Sequence, residues 1–351
     1  MKVYKNLFKQ ITNPENLFIS WEKFKKGKRN KPDVAKFEFM LEKNIFKLRR
    51  DLKDKIYKHG KYKGFYICDP KVRHIHKATV RDRVIHHAIF RILNEVFEPT
   101  FIQTSFSCRI GKGNHKGVLA LEDMTRKVSK NYTKNCFVLK CDIKKFFDSV
   151  DHVILLEILC RKIKDKDTIY LLKEIIQSFS ASQINLFHRK GIPIGNLTSQ
   201  LFANIYMNEF DQFIKHKLKI KYYARYTDDF VIVSDTKEEF NNILKKAELF
   251  LKEKLSLKLH PHKVEVRKLH QGIDYLGYVV RPHHKSLRTK TRKRLVKKLN
   301  YRIKDFQEGK IGKNTLKQTL ASYLGVLSHA SEYKFTENLK NNFWFWFSSD
   351  K

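Results

Sequence analysis

Residues 224–234 read ARYTDDFVIVS, with Asp228 and Asp229 set side by side between two apolar runs. The pattern predicts a strand, a tight turn and a second strand. An acidic pair in a turn has an ordinary reading, because Asp favours turns. A second acid gives it weight. In LKCDIKKFFDSV, residues 139–150, Asp142 stands at the end of an apolar strand predicted over residues 137–143. If these strands are neighbours, Asp142 and Asp228 converge at one end of a sheet. Converging carboxylates repel unless a cation joins them, and an all-oxygen ligand set suits Mg²⁺. Two such ions between carboxylates can activate an attacking 3′-oxygen and stabilise a leaving pyrophosphate. Adjacent strand residues face opposite ways, so Asp228 is expected to be the stronger ligand and Asp229 the weaker. Asp148 and Asp151 read as capping or surface acids.

The acids stand out because the chain is otherwise so basic. Its 351 residues carry 73 Lys and Arg against 36 Asp and Glu, a formal net charge of +37. A proteome biased toward Lys supplies part of that excess, but a two-to-one imbalance points to a polyanionic partner, with nucleic acid first. A hydrophobic fraction of 42% excludes wholesale disorder. The length suits one large domain or two to three packed subdomains. None of the five cysteines forms a CxxC pair, so reduced thiols in a cytoplasmic protein are expected, without a zinc site or disulfides. The opening residues lack the apolar core of a signal peptide, and no run reaches transmembrane length, so no membrane partner is expected.

Working outward, residues 14–57 read as helical with a break at GKRNKPD, and residues 62–77 as a β-hairpin turning at DPK. VRDRVIHHAIFRILNEVF is an amphipathic helix, and GKGNHKG is a glycine-containing loop leading into another. A helix capped by Ser or Asp follows from about Ser149. GIPIGNLTSQLFANIYMNEFDQFIKHKL is a loop feeding a long helix, and a further helix begins at TKEEF. HKVEVRKLHQGIDYLGYVVRP supplies short strands, and from about Lys285 the chain reads as basic helix closing on NNFWFWFSSD. Interleaved helices and hairpins predict an α+β class with an antiparallel sheet. His86 and His87 lack carboxylate or Cys partners at ligand spacing, so packing or a template contact is expected rather than a metal site. GKGNHKG fits neither the P-loop nor GxGxxG; Lys112 or Lys116 there suits a template phosphate. FWFWF reads as core closure, with base stacking as the alternative.

Taken together and in order, these stretches resemble reverse transcriptases. DIKKFF is similar to the first catalytic motif of their palm, and YTDD to the second, a variant of YADD. KVRHIHKATVRDRVIHHAI resembles the fingers of group II intron-like bacterial enzymes. GIPIGNLTSQLFANIYMNEFD resembles the nucleotide-pocket loop and its helix, and IDYLGYVV the primer-grip hairpin. The resemblance covers about residues 14–330. It implies a right-hand polymerase fold: a helical N-terminal extension over residues 1–60, fingers and palm over 61–283, and a basic helical thumb over 284–351. The activity implied is RNA-directed DNA polymerisation, with an RNA template, a cDNA or primer strand and dNTPs as partners. Two Mg²⁺ ions are the implied cofactors, with Mn²⁺ as a substitute.

The same resemblance gives roles to individual residues. Asp142, Asp228 and Asp229 would be the catalytic metal ligands, assisted by the Ile143 carbonyl. Phe147 would crowd a ribose 2′-OH, although Phe146 beside it makes the register matter. Arg73 would contact the triphosphate, with Lys77 or Arg81 helping. Ile194, Gly195 and Gln200 belong to the nucleotide pocket. Lys263 would protonate the leaving pyrophosphate, or be one Lys among many. Tyr275, Leu276 and Gly277 would place the primer end. The run Ile194-Gly195-Asn196-Leu197-Thr198-Ser199-Gln200 is an IGxxxSQ pattern, where maturases of group II introns usually show QGxxxSP. It is similar to the pattern in diversity-generating retroelements, whose mutagenic retrohoming uses an error-prone enzyme with a small basic accessory protein. The short length agrees with that reading, leaving no room after the thumb for a maturase DNA-binding or endonuclease domain. A group II intron-like maturase and a phage-defence reverse transcriptase are the alternatives, and a non-catalytic RNA-binding protein is a third.

Overall fold

The apolar runs around the acids form the centre of a four-stranded antiparallel sheet. In the computed structural model, which describes residues 2–69, 71–181 and 189–348, nine strands are present among those residues. β1 (Lys63–Ile67) and β2 (Arg73–Lys77) make a hairpin. β3 (Phe137–Asp142), β4 (Tyr223–Tyr226), β5 (Asp229–Ser234) and β6 (Glu265–Lys268) make the central sheet in the order β4-β5-β3-β6. β7 (Ile273–Tyr275), β8 (Tyr278–Arg281) and β9 (His284–Leu287) make a third sheet in chain order. The Pro70 of the DPK turn lies outside the described residues.

The near-continuous apolarity of β3 and β5 follows from burial on both faces. Leu139 and Cys141 of β3 and Phe230 and Ile232 of β5 join one core. Val138 of β3 and Val231 and Val233 of β5 join a second. The first core is built from helices: Pro14–Lys25, Val80–Phe97, His152–Lys162, Lys166–Gln177, Leu197–Gln212 and Glu239–Leu255. The second joins the sheet to β7, β8 and β9 and to the helices Thr289–Gln307, Lys313–Leu327 and Tyr333–Ser348. The N-terminal helices share the first core: Leu17 and Trp21 are buried on the helix that packs against Val80–Phe97, and Ile45 and Leu48 are buried on Leu41–Lys53, which packs on that first helix. This is the expected α+β class: an antiparallel sheet with helices on one face and, on the other, the C-terminal helices expected as a thumb.

Several helix boundaries follow from local chemistry. Asn13 accepts the Glu15 amide at 3.0 Å ahead of Pro14, and Asp151 accepts the amides of Val153 and Ile154 ahead of His152–Lys162. Asp151 is therefore the cap. Three expectations are corrected. The segment after Pro32 is broken at Met40 into Pro32–Phe39 and Leu41–Lys53. The helix Lys166–Gln177 was missed, although Asp165 caps it through the amides of Asp167 and Thr168. Residues 284–287 are strand, paired to β8, before the basic helix begins at Thr289; alternating side chains in so short a run carry too little period to separate strand from helix.

The helix Thr289–Gln307 buries Leu295 and Leu299 and exposes cations. Many are already paired: Arg288 with Asp274, Arg292 with Glu332, Arg294 and Lys298 with Asp69. Among the described residues Lys290, Lys293 and Lys297 make no ion pair, and their spacing puts them on one helical face. Replacing these three with Gln should flatten the log–log salt dependence of RNA binding by about 2–3 units, since each phosphate contact contributes roughly 0.7–0.9. An unchanged slope in a filter-binding titration would show that this face is only solvated.

Candidate active site

The sheet register decides which acids meet. Asp142 lies directly opposite Asp229 in the β3–β5 pairing, and Tyr226 opposite Asp229 in the β4–β5 pairing. Residues directly across an antiparallel pair point to the same face. That face is the thumb side, because Asp142 shares parity with Val138 and Asp229 with Val231 and Val233. Asp228 sits in the turn, after Thr227 at a φ of 56°. The register sets Asp229, expected as the weaker ligand, directly opposite Asp142, with Asp228 in the adjoining turn. Burial raises the Asp228 carboxyl to about 7, with the charges of Asp229 and Asp142 adding to it. Burial and then Asp142 also raise Asp229. The three carboxylates therefore share one electrostatic environment.

A cation already answers them. Lys263, expected at the leaving group, donates its ammonium to Asp142 Oδ2. Burial lowers the Lys263 pKa, but its bond to Asp142 and the charges of Asp229 and Asp228 outweigh that and raise it. Among the described residues no three His, Cys, Asp or Glu side chains are drawn into one ligand cluster, and in this arrangement Asp142 faces the ammonium. The donor set still suits Mg²⁺: three carboxylates, two of them holding their protons abnormally tightly, which an oxygen-seeking cation would relieve. Ile143 is buried in a bridge to Leu259 beside them.

Two of the residues expected at the nucleotide, Arg73 and Ile194, line a cavity of about 820 Å³. His76, Lys145, Phe179 and Asp148 line it with them, and Asp148 is exposed, as a surface acid would be. The pocket loop is fastened to the hairpin. The His76 amide donates to the Ile194 carbonyl at 3.0 Å, and Asn196 Nδ2 donates to the His76 carbonyl at 2.9 Å. Gly195 has a φ of 107°, and a Cβ there would stand 2.8 Å from Ile75; both features need glycine. Gln200 lies half-buried in the first turn of the following helix. Phe146 is 1% exposed and belongs to the core, while Phe147 beside it is half-buried and its carbonyl accepts the Ile192 amide of the pocket loop at 2.8 Å. Lys77 and Arg81 are not brought to this cavity. Lys77 pairs with Asp33 at 2.7 Å and Arg81 with Asp51 at 3.4 Å, both on the N-terminal helices.

The β7–β8 turn lies on the thumb face. Leu276 and Gly277 have φ values of 48° and 92°. Tyr275 is fully buried, so its ring supports the turn from inside rather than presenting to a primer. Burial, then Asp229, raises its phenol. Lys140 Nζ donates to the Asp274 carbonyl at 2.7 Å, tying this hairpin to β3. His86 is buried against His59, with their Nε2 atoms 3.2 Å apart, as packing required. Sequence reasoning missed Arg225 and Asp211, a fully buried ion pair directly under the acidic turn. Arg225 reads as a polar residue on a strand and Asp211 as a helix acid; only their burial distinguishes them.

A family description, reverse transcriptase (RNA-dependent DNA polymerase), matches residues 56–280. The group II intron-encoded protein LtrA of Lactococcus lactis subsp. cremoris is 24% identical over 80% of this chain and 57% of its own length. Protein YkfC of Escherichia coli is 25% identical over 59% of this chain and 63% of its own length. A putative COX1/OXI3 intron 2 protein of Saccharomyces cerevisiae is 22% identical over 78% of this chain and 39% of its own length. The chain thus spans a little over half of LtrA. A telomerase structure from Candida albicans, in complex with a TWJ fragment of telomeric RNA, overlays on 73% of this chain and 50% of its own with a TM-score of 0.46 and 12% identity.

Raised carboxylates make the metal-free site a source of instability. A carboxyl whose folded pKa lies above its unfolded value costs nothing below about pH 4 and destabilises increasingly as pH rises toward 7. In metal-free buffer at pH 8, Asp228→Asn should therefore be more stable than the wild type by on the order of 1–3 kcal/mol, with the advantage vanishing near pH 4. Mg²⁺ should raise the Tm of the wild type at pH 8 and leave that of the variant nearly unmoved. Thermal melts across pH would contradict this if the variant were the less stable protein at pH 8.

Proposed function

Because this chain belongs to the reverse transcriptase family, we propose that it makes DNA on an RNA template by metal-assisted nucleotidyl transfer. The observation that carries the reading is the register that sets Asp142 opposite Asp229 with Asp228 in the adjoining turn. In this reading the three aspartates, with the Ile143 carbonyl, hold two Mg²⁺ ions, and Mn²⁺ can substitute. Bound there, the ions supply Lewis-acid activation of the primer 3′-hydroxyl and neutralise charge on the departing pyrophosphate. Lys263 leaves Asp142 as the acids gain their ions and stays in reach of the pyrophosphate, with a proton to give. Arg73 holds the triphosphate at the cavity mouth, while Lys145 adds charge beside it. Lys77 or Arg81 would join only by releasing Asp33 or Asp51. Phe147 stands where a 2′-hydroxyl would crowd it, which favours dNTPs. Leu276 and Gly277 steer the primer end, with Tyr275 beneath them. A cytoplasmic setting suits such an enzyme.

The finer reading is the error-prone polymerase of a diversity-generating retroelement, working with a small basic accessory protein. It is supported by Ile194 in the pocket loop, where an amide would hydrogen-bond near the nascent pair and isoleucine offers only shape. Loss of a contact that tightens around the correct pair narrows the gap between right and wrong nucleotides. About 1.4 kcal/mol of that gap is a tenfold rise in error. The intron-encoded proteins among the relatives favour the second reading, a group II intron-like maturase.

One experiment addresses both levels: extension of a DNA primer on a defined RNA with dNTPs and Mg²⁺, followed by sequencing of the product. The wild type should synthesise DNA with errors concentrated opposite template adenine, the bias that the resemblance to diversity-generating retroelements implies. Ile194→Gln should reduce that bias while synthesis continues, and Asp142→Ala or Asp228→Ala should abolish incorporation while RNA binding survives. Synthesis by either Ala variant would refute the catalytic assignment. Uniformly low errors in the wild type would favour the maturase.

A further inference from the structure

Thr227 stands immediately before the two acids, and its φ of 56° places a β-branched side chain in the left-handed region that such residues avoid. Something must hold it there. Its hydroxyl donates to Ser107 Oγ at 2.6 Å, and its carbonyl accepts Arg225 Nη1 at 2.9 Å. Arg225 is fully buried and every guanidinium nitrogen is engaged. Nε and Nη2 meet the two Asp211 oxygens at 2.7 and 2.6 Å, and Nη2 also reaches Ser105 Oγ at 3.1 Å. Asp211 accepts the Tyr223 hydroxyl at 2.7 Å as well. The Arg225 backbone is pinned between the Thr104 carbonyl and the Phe106 amide. Asp211 stands near the end of the helix Leu197–Gln212, whose other end emerges from the pocket loop at Asn196.

A buried ion pair alone is a weak source of stability, since apolar residues of similar volume often do as well. What an apolar pair would not reproduce is the third arm of the fork, directed at the turn. Lysine would keep the charge but not the planar geometry that meets Asp211 and the Thr227 carbonyl together.

We propose that Arg225, clamped by Asp211, is a positioning residue for the catalytic turn: its bond to the Thr227 carbonyl fixes the left-handed conformation that sets Asp228 and Asp229 against Asp142. The role rests on the polymerase reading given above. It adds a constraint from the palm interior, and from the helix that starts at the nucleotide pocket, to the register of the strands.

The test uses the full chain and two readouts, Mn²⁺ affinity by EPR titration and steady-state primer extension. Folded Arg225→Lys should lose about 10–100-fold in Mn²⁺ affinity and in kcat, as expected when a group that orients metal ligands is removed. Its KM for dNTP should stay within about threefold, because the triphosphate contacts are untouched. Thr227→Gly added to it should recover at least about fivefold of the Mn²⁺ affinity, because glycine takes a positive φ without help. Wild-type Mn²⁺ affinity in folded Arg225→Lys would overturn the proposal, as would a loss that Thr227→Gly leaves unmoved. Should Arg225→Lys fail to fold, the apolar pair Arg225→Met with Asp211→Leu replaces it: lost affinity in that folded protein supports the role, and intact affinity overturns it. A wild type that binds Mn²⁺ but extends no primer would refute the polymerase reading, while the EPR comparison still judges the positioning role. A wild type that binds no Mn²⁺ would overturn both.

Discussion

The antiparallel register between β3 and β5 is the constraint on which the rest of the site depends. It sets two carboxylates side by side at one end of a sheet whose two central strands bury apolar side chains on both faces. A slip of one residue would turn Asp142 or Asp229 away from the thumb face and exchange the two cores along the whole strand. The register is therefore enforced over six residue pairs by burial, and the acids are carried into mutual repulsion by packing that is indifferent to them. Folding stability and the chemistry of the site are opposed at this point, and a cation reconciles them.

In the protein alone, that cation is Lys263. Its ammonium is a compact charge on a flexible stem, partly exposed and able to leave, whereas Arg225 beneath the turn is locked by four hydrogen bonds and cannot. These two cations thus differ in kind: one is a movable counter-charge, the other a fixed strut. Outside the site, Arg294 and Lys298 of the helix Thr289–Gln307 reach Asp69 at the turn of the β1–β2 hairpin, so one exposed acid braces this basic helix against the hairpin.

Much of this was legible in the sequence because it rests on long patterns. The apolar runs in FVLKCD and DFVIVS and the capped helices predict the central strands and several of the helices around them, with Asp142 and the Asp228–Asp229 pair at strand ends. The parts that escaped rest on pairings that lie far apart in the chain. Nothing local tells that Asp229 rather than Asp228 stands opposite Asp142, since a turn can place either acid first. Tyr275 looks like a surface aromatic in a hairpin, and only the second core, closing over it, makes it a support. Lys77 and Arg81 were read as free cations because their partners, Asp33 and Asp51, lie in N-terminal helices 30 or more residues away. Arg225 and Asp211 look like two more charges in a highly charged chain, and burial alone separates them from the rest.

The central claim is that Asp142, Asp228 and Asp229 exchange the Lys263 ammonium for divalent metal when substrate is present. Anomalous diffraction from crystals grown with Mn²⁺, an RNA template, a DNA primer and a non-hydrolysable dNTP analogue tests it directly. The account predicts anomalous peaks within coordination distance of oxygens from Asp142 and from the Asp228–Asp229 turn, with Lys263 displaced toward the triphosphate. Lys263 still seated on Asp142, with Mn²⁺ absent or bound elsewhere, would contradict it.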